Sequence, residues 1–195
     1  MAKPIYTNKV LQQKLTSEIE EMLIQVKQLA DHYSLEELNF KPTPDSWSAN
    51  ECFHHLNLTF QKYLPSIQIS IHKFKGKPSI EYRSGFLGDH MIRGMAPSSD
   101  GTIPERRRTK TFKKVNPDHQ TKFIEPPIEV FIAHSHEFKA IIDQMNDLNL
   151  EKVKVKSLAG NIIKFKLGDA LQVVHVHNRR HIIQAKNALS SISKS

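Results

Sequence analysis

Four segments of this chain repeat apolar residues at steps of one, three and four, and proline or glycine interrupts the chain between them. A repeat near 3.6 residues places the apolar side chains on one face of a helix. Four such faces are best buried against one another. The first segment, 8–32, reads "NKVLQQKLTSEIEEMLIQVKQLADH", with Val10, Leu11, Leu15, Ile19, Met22, Leu23, Val26 and Leu29 as its stripe. Pro42 and Pro44 forbid a continuous helix beyond it. Ser48, with Glu51 three residues later, has the form of a capping box and opens the second segment, 48–73. Its stripe is Cys52, Phe53, Leu56, Phe60, Tyr63, Leu64, Ile67 and Ile71, and Gly76 and Pro78 end it. The third segment, about 127–146, takes Pro127 in its first turn and buries Ile128, Phe131, Ile132, Phe138, Ile141, Ile142 and Met145. The fourth, about 168–190, has Asp169 as its expected cap. The expected class is all-α, a four-helix bundle forming one domain over residues 1–195.

Two stretches fall outside this pattern. Residues 76–127 hold five of the seven glycines and six of the ten prolines. They predict a long irregular crossover, about 76–126, with at most a short turn near 86–93. The segment "KVKVKSLAGNIIKFKLG" alternates lysine with apolar residues on both sides of "LAGN", which predicts a short hairpin.

The net charge of +8 permits an anionic partner, but the excess is concentrated. Arg106, Arg107, Arg108, Lys110, Lys113 and Lys114 lie in "ERRRTKTFKKVN", where Phe112 is the lone aromatic and no nucleic-acid-binding motif frames the run. A solvated loop is the better reading, and specific nucleic-acid binding is not expected. A single cysteine, Cys52, excludes an intramolecular disulfide and suits a reducing compartment, most simply a cytoplasm. No apolar run approaches the ~20 residues that a membrane helix needs. The opening "MAKPIYTNKV" lacks the apolar core of a secretion signal.

The chemistry concentrates in histidine. "VVHVHNRRHIIQAKNAL", residues 173–189, places His177 and His181 four apart, one turn above each other on one helix face. His175, two residues from His177, lies about 200° around the helix and should face elsewhere. An inward pair at this spacing is a two-ligand platform for zinc, nickel, copper or iron. A third ligand must come from another helix. The second segment offers His54 and His55, on opposite edges of its stripe, and periodicity does not choose between them.

"DSWSANECFHHL" resembles the start of the second helix in the DinB/YfiT-like family, and "HNRRHIIQA" resembles that family's fourth-helix motif. The order of the motifs and the long connection between helices two and three agree over about residues 8–190. The resemblance implies an up-down-down-up bundle holding a divalent transition metal (zinc, nickel, manganese or iron) on His55, His177 and His181. His55 is preferred over His54 because the family's ligand immediately precedes the leucine, here Leu56. Three histidines leave room for water or substrate, the pattern of a catalytic site. The family includes thiol-dependent S-transferases and isomerases, and many members carry only a general hydrolase assignment. The implied function is a metal-dependent enzyme acting on a small molecule, either a hydrolase or an S-transferase using a low-molecular-weight thiol. A homodimer is a separate expectation, which the resemblance does not supply. The competing readings are a nucleic-acid-associated protein using the basic crossover and a non-enzymatic helical interaction protein.

The neighbours of these histidines have plainer expectations. Trp47 should anchor the core at the bundle's end. Glu51 should cap the helix or lie on the surface, and Cys52 should pack as a small hydrophobe. Gln184 could orient a ligand or fill the seam. Arg179 and Arg180 should be solvated or meet an anionic group. His134 and His136, two apart, should lie on the surface.

Overall fold

The apolar stripes form the core of the structure, a computed structural model that describes residues 5–98, 101–103, 111–117, 123–158 and 160–192. The four long helices are α1 (Asn8–His32), α3 (Ala49–Lys73), α5 (Ile128–Asp143) and α6 (Leu167–Ser190). Leu11, Leu15, Ile19, Met22 and Val26 of α1 are buried together with Phe53, Leu56, Phe60 and Ile67 of α3. Phe131, Phe138 and Ile142 of α5 and Leu171, Val174, Ile182 and Ala185 of α6 complete that core. Val10, in the first turn of α1, departs from the predicted stripe and is 58% exposed. Ser48 and Glu51 form the capping box that starts α3, each side chain accepting from the other's backbone N–H. A second capping box, Ser34 with Glu37, starts the short helix α2 (Leu35–Leu38).

Side-chain contacts between helices set their directions. The Asn8 amide donates to the carbonyl of Met145, Gln12 donates to the carbonyls of Ile142 and Asp143, and Glu20 pairs with Lys139. So α1 and α5 run antiparallel. Glu18 meets His175 and Gln25 meets Lys186, which makes α1 and α6 parallel. Phe53 packs on Phe131 and Phe60 on Phe138, so α3 and α5 run the same way. Trp47 lies on His181 and His55 on His177, so α3 and α6 are opposed. The result is the up-down-down-up bundle, with the N-terminal half of α3 facing the middle of α6.

The hairpin forms as predicted. Strands β3 (Lys154–Ser157) and β4 (Gly160–Lys166) pair antiparallel, with Val155 opposite Phe165, both buried.

The crossover is more ordered than its composition suggested. Strand β2 (Glu81–Arg83) pairs with β1 (Ile5–Thr7), and a ten-residue helix, α4 (Phe86–Met95), packs on α6. The β1–β2 register joins Ile5 to Arg83, a contact too distant in sequence for local pattern to show. Helix α4 contains Gly88 and Gly94, which weaken helix propensity. Packing overrides that cost, because a Cβ at Gly88 would run into the Asp169 carboxylate.

Asp169 is not the cap of α6; Lys166 holds that position. Asp169 sits in the first turn, 1% exposed, and accepts hydrogen bonds from the hydroxyls of Tyr82 and Ser84 and from the Gly85 N–H at 3.0 Å. It therefore binds the start of the crossover to α6. Among the described residues no helix is long and apolar enough to cross a membrane.

Candidate metal centre

The start of α3 is fixed by its capping box, which places His55 about two turns into the helix, directed into the bundle and 3% exposed. On the facing helix, His177 and His181 lie one turn apart and half-buried. The three rings close on one another. Centroid separations are 4.5 Å for His55–His181, 4.6 Å for His177–His181 and 5.0 Å for His55–His177. One ring nitrogen from each lies within 4.8 Å of those of the other two. Among the described residues, no other group of three potential ligands converges this way.

Hydrogen bonds select the nitrogens. His55 Nδ1 donates to the Val115 carbonyl at 2.6 Å, which leaves the Nε2 lone pair facing His177 Nε2, 3.1 Å away. His181 Nδ1 lies 3.0 Å from Gln184 Oε1, an acceptor, so His181 Nε2 also carries a lone pair. His177 Nδ1 is buried with no hydrogen-bond partner. His55 Nε2 accepts from His177 Nε2–H; to ligate a cation through Nε2, the neutral His177 ring would carry its proton on Nδ1 instead.

The electrostatics favour neutral rings. Burial, reinforced by His55 and Arg180, lowers the His177 pKa from the ordinary 6.5 to about 3. Burial and the two neighbouring histidines hold His181 well below 6.5. Burial also lowers His55, against the opposing pull of its bond to Val115. Neutral imidazole is the ligating form, so the donor set suits a transition metal.

The remaining histidines lie elsewhere. His54 is half-buried at the edge of α3, its ring 5.2 Å from that of Phe123. His175 is 2% exposed and turned toward α1, with Nε2 2.9 Å from a Glu18 carboxylate oxygen. His136 is exposed, but His134 is half-buried, donating to Asn57 Oδ1 at 3.3 Å and packing on Phe60. The surface expectation fails there because Asn57, which also donates to the Pro127 carbonyl, draws His134 against α3.

The surrounding residues also sort themselves. Trp47 packs against the core but is only half-buried, with its ring 5.0 Å from His55 and 5.6 Å from His181. It is thus a wall of the histidine cluster as well as a core anchor. Glu51 caps α3 as expected, and it is fully buried and pairs with Lys41 at 2.7 Å. Cys52 is fully buried, and burial raises its thiol pKa far above the ordinary value, so it packs as a hydrophobe. Arg179 is partly exposed beside Glu18, while Arg180 is largely buried. Of the basic run, Arg106, Arg107, Arg108 and Lys110 lie outside the described residues. Lys113 and Lys114 are exposed on a 3-10 turn, Lys113–Val115, that delivers the Val115 carbonyl to His55. Sequence reasoning missed this carbonyl, because a backbone acceptor leaves no side-chain signal.

A family model described as the DinB superfamily matches residues 18–185. The chain belongs to the DinB superfamily. The DinB match runs from the first helix of the bundle to beyond His181, and so spans all three converging histidines. No curated protein and no solved structure matches this DinB chain.

Proposed function

We propose that the protein is a metal-dependent enzyme in which His55, His177 and His181 hold one divalent transition-metal ion and leave coordination room for a reactant. One observation carries this reading: three imidazoles from two helices converge, and hydrogen bonds outside the cluster hold the Nδ1 protons of His55 and His181, leaving their Nε2 lone pairs for a ligand. DinB membership supports it. Such a cation lowers the pKa of a bound water or holds a thiol as its thiolate, so the site serves hydrolysis or the transfer of a low-molecular-weight thiol to an electrophile.

The chain's own groups bind and orient. The partial exposure of His177 and His181 gives a small molecule access, and Trp47 presents a flat apolar wall beside them. The largely buried Arg180, between the two α6 histidines in sequence, adds positive charge that favours an anionic group on the reactant.

The test is elemental analysis of protein purified without an affinity tag, followed by activity assays on metal-loaded protein. One equivalent of metal, with ester hydrolysis or displacement of chloride from a chlorinated aromatic by a thiol (releasing chloride and a proton) that vanishes in His177→Ala, is the expected result. No stoichiometric metal after incubation with zinc, nickel or manganese overturns the reading.

A further inference from the structure

We infer that Gln184 is a positioning residue for the metal site: it fixes the tautomer and ring orientation of His181, so that Nε2 faces His55 and His177. This deepens the proposed function and rests on His181 being a ligand. An imidazole has two nitrogens, and a neutral ring carries its proton on one of them. A ligand nitrogen needs the lone pair, so the proton must reside on the other. Gln184 lies three residues after His181, on an adjoining part of the same helix surface. Its carbonyl Oε1 sits 3.0 Å from His181 Nδ1. An amide oxygen only accepts, so this contact stabilises the Nδ1–H tautomer and leaves Nε2 free.

The same logic applies at all three rings, but an acceptor holds the Nδ1 proton at only two of them. His55 gives its Nδ1 proton to the Val115 carbonyl, a backbone group that side-chain substitution does not remove. His177 Nδ1 has no hydrogen-bond partner among the described residues. Gln184 is therefore the one side chain among these contacts that selects a ligand nitrogen. The partner of a ligating histidine typically changes metal affinity ~10–100-fold when removed. A Gln184 that merely filled the α6 seam would be replaced by leucine without consequence for the ion.

The experiment compares wild type, Gln184→Leu and Gln184→Glu. Leucine keeps the bulk and removes the acceptor; glutamate keeps an acceptor oxygen. Zn2+ affinity is measured by chelator competition, and ring tautomers are read from the nitrogen-15 imidazole spectrum of metal-free protein. We expect Zn2+ binding weakened ~10–100-fold in Gln184→Leu and restored in Gln184→Glu. His181 should be the Nδ1–H tautomer in wild type and mixed in the leucine variant. Circular dichroism should show equal helicity in all three. Unchanged affinity in a folded Gln184→Leu variant, or a wild-type His181 protonated on Nε2, overturns the inference. If wild-type protein takes up no Zn2+, the ligand assignment fails by itself, and the tautomer spectrum still decides whether Gln184 orients His181.

Discussion

His54 and His55 are neighbours in sequence with opposite surroundings. One lies against Phe123 at the rim of the bundle, the other among imidazoles in its interior. Adjacent helix positions point about 100° apart, so one ion cannot readily use both. His55→Ala, His177→Ala and His181→Ala should each reduce bound metal from one equivalent to a small fraction of one. His54→Ala and His175→Ala should retain it, since neither ring enters the cluster. Metal content of tag-free protein, with helicity as the fold control, decides the matter; loss in His175→Ala alone would contradict the register of α6. Trp47 supplies an independent optical check. It is the chain's one tryptophan and packs against two of the three rings, stacked on His181 and tilted to His55. Titrating metal-free protein with Ni2+ or Zn2+ should change its fluorescence with a one-equivalent end point, and His55→Ala should abolish that change.

Helix α6 carries two functions at its two levels. Its first turn binds the crossover through Asp169, and its middle carries His177 and His181. The Asp169 carboxylate accepts from Tyr82, Ser84 and Gly85, and all of this lies where water would otherwise have to solvate a charge. Asp169→Ala leaves those donors buried without an acceptor and should destabilise the protein by about 3 kcal/mol, within the range for hydrogen bonds to a charged group. Urea unfolding would measure this, and a change below about 0.5 kcal/mol would show that the cluster rearranges at little cost. At its other end the crossover returns to α3, where Val115 is buried and its carbonyl meets His55. On the proposed function, a metal held by His55 Nε2 would make the Nδ1 proton a stronger donor and so link its binding to the seating of the Lys113–Val115 turn. Zn2+ should slow tryptic cleavage after the exposed Lys113 and Lys114 several-fold in wild type and not in His55→Ala.

At the scale of the whole molecule, the histidine cluster makes stability depend on pH. The unfolded chain protonates these rings near 6.5, whereas the folded state resists protonation down to about 3 at His177 and well below 6.5 at His181. Between those limits the unfolded state binds more protons, so metal-free protein should lose unfolding free energy as pH falls from 6.5 toward 3. The slope from these rings fades to nothing about one pH unit above 6.5, where the unfolded rings too are neutral. A His177→Leu variant should show a flatter acid limb in urea melts; an unchanged limb would mean that carboxylates alone govern it. The charge of +8 is concentrated in the 105–116 segment without a base-reading element, and any DNA binding should be weak, salt-sensitive and indifferent to sequence. The bundle itself was legible because four apolar stripes at helical period leave few ways to exclude water. The pairing of His177 with His181 was legible for the same geometric reason, since a helix brings residues four apart onto one face. Choosing His55 over His54 required the family resemblance, because both flank the stripe of α3. Three features belong to tertiary structure alone: the β1–β2 pairing, the role of Asp169 as an acceptor for the crossover, and the Val115 carbonyl behind His55. Each joins groups more than 50 residues apart in the chain, and local periodicity carries no information about partners that distant.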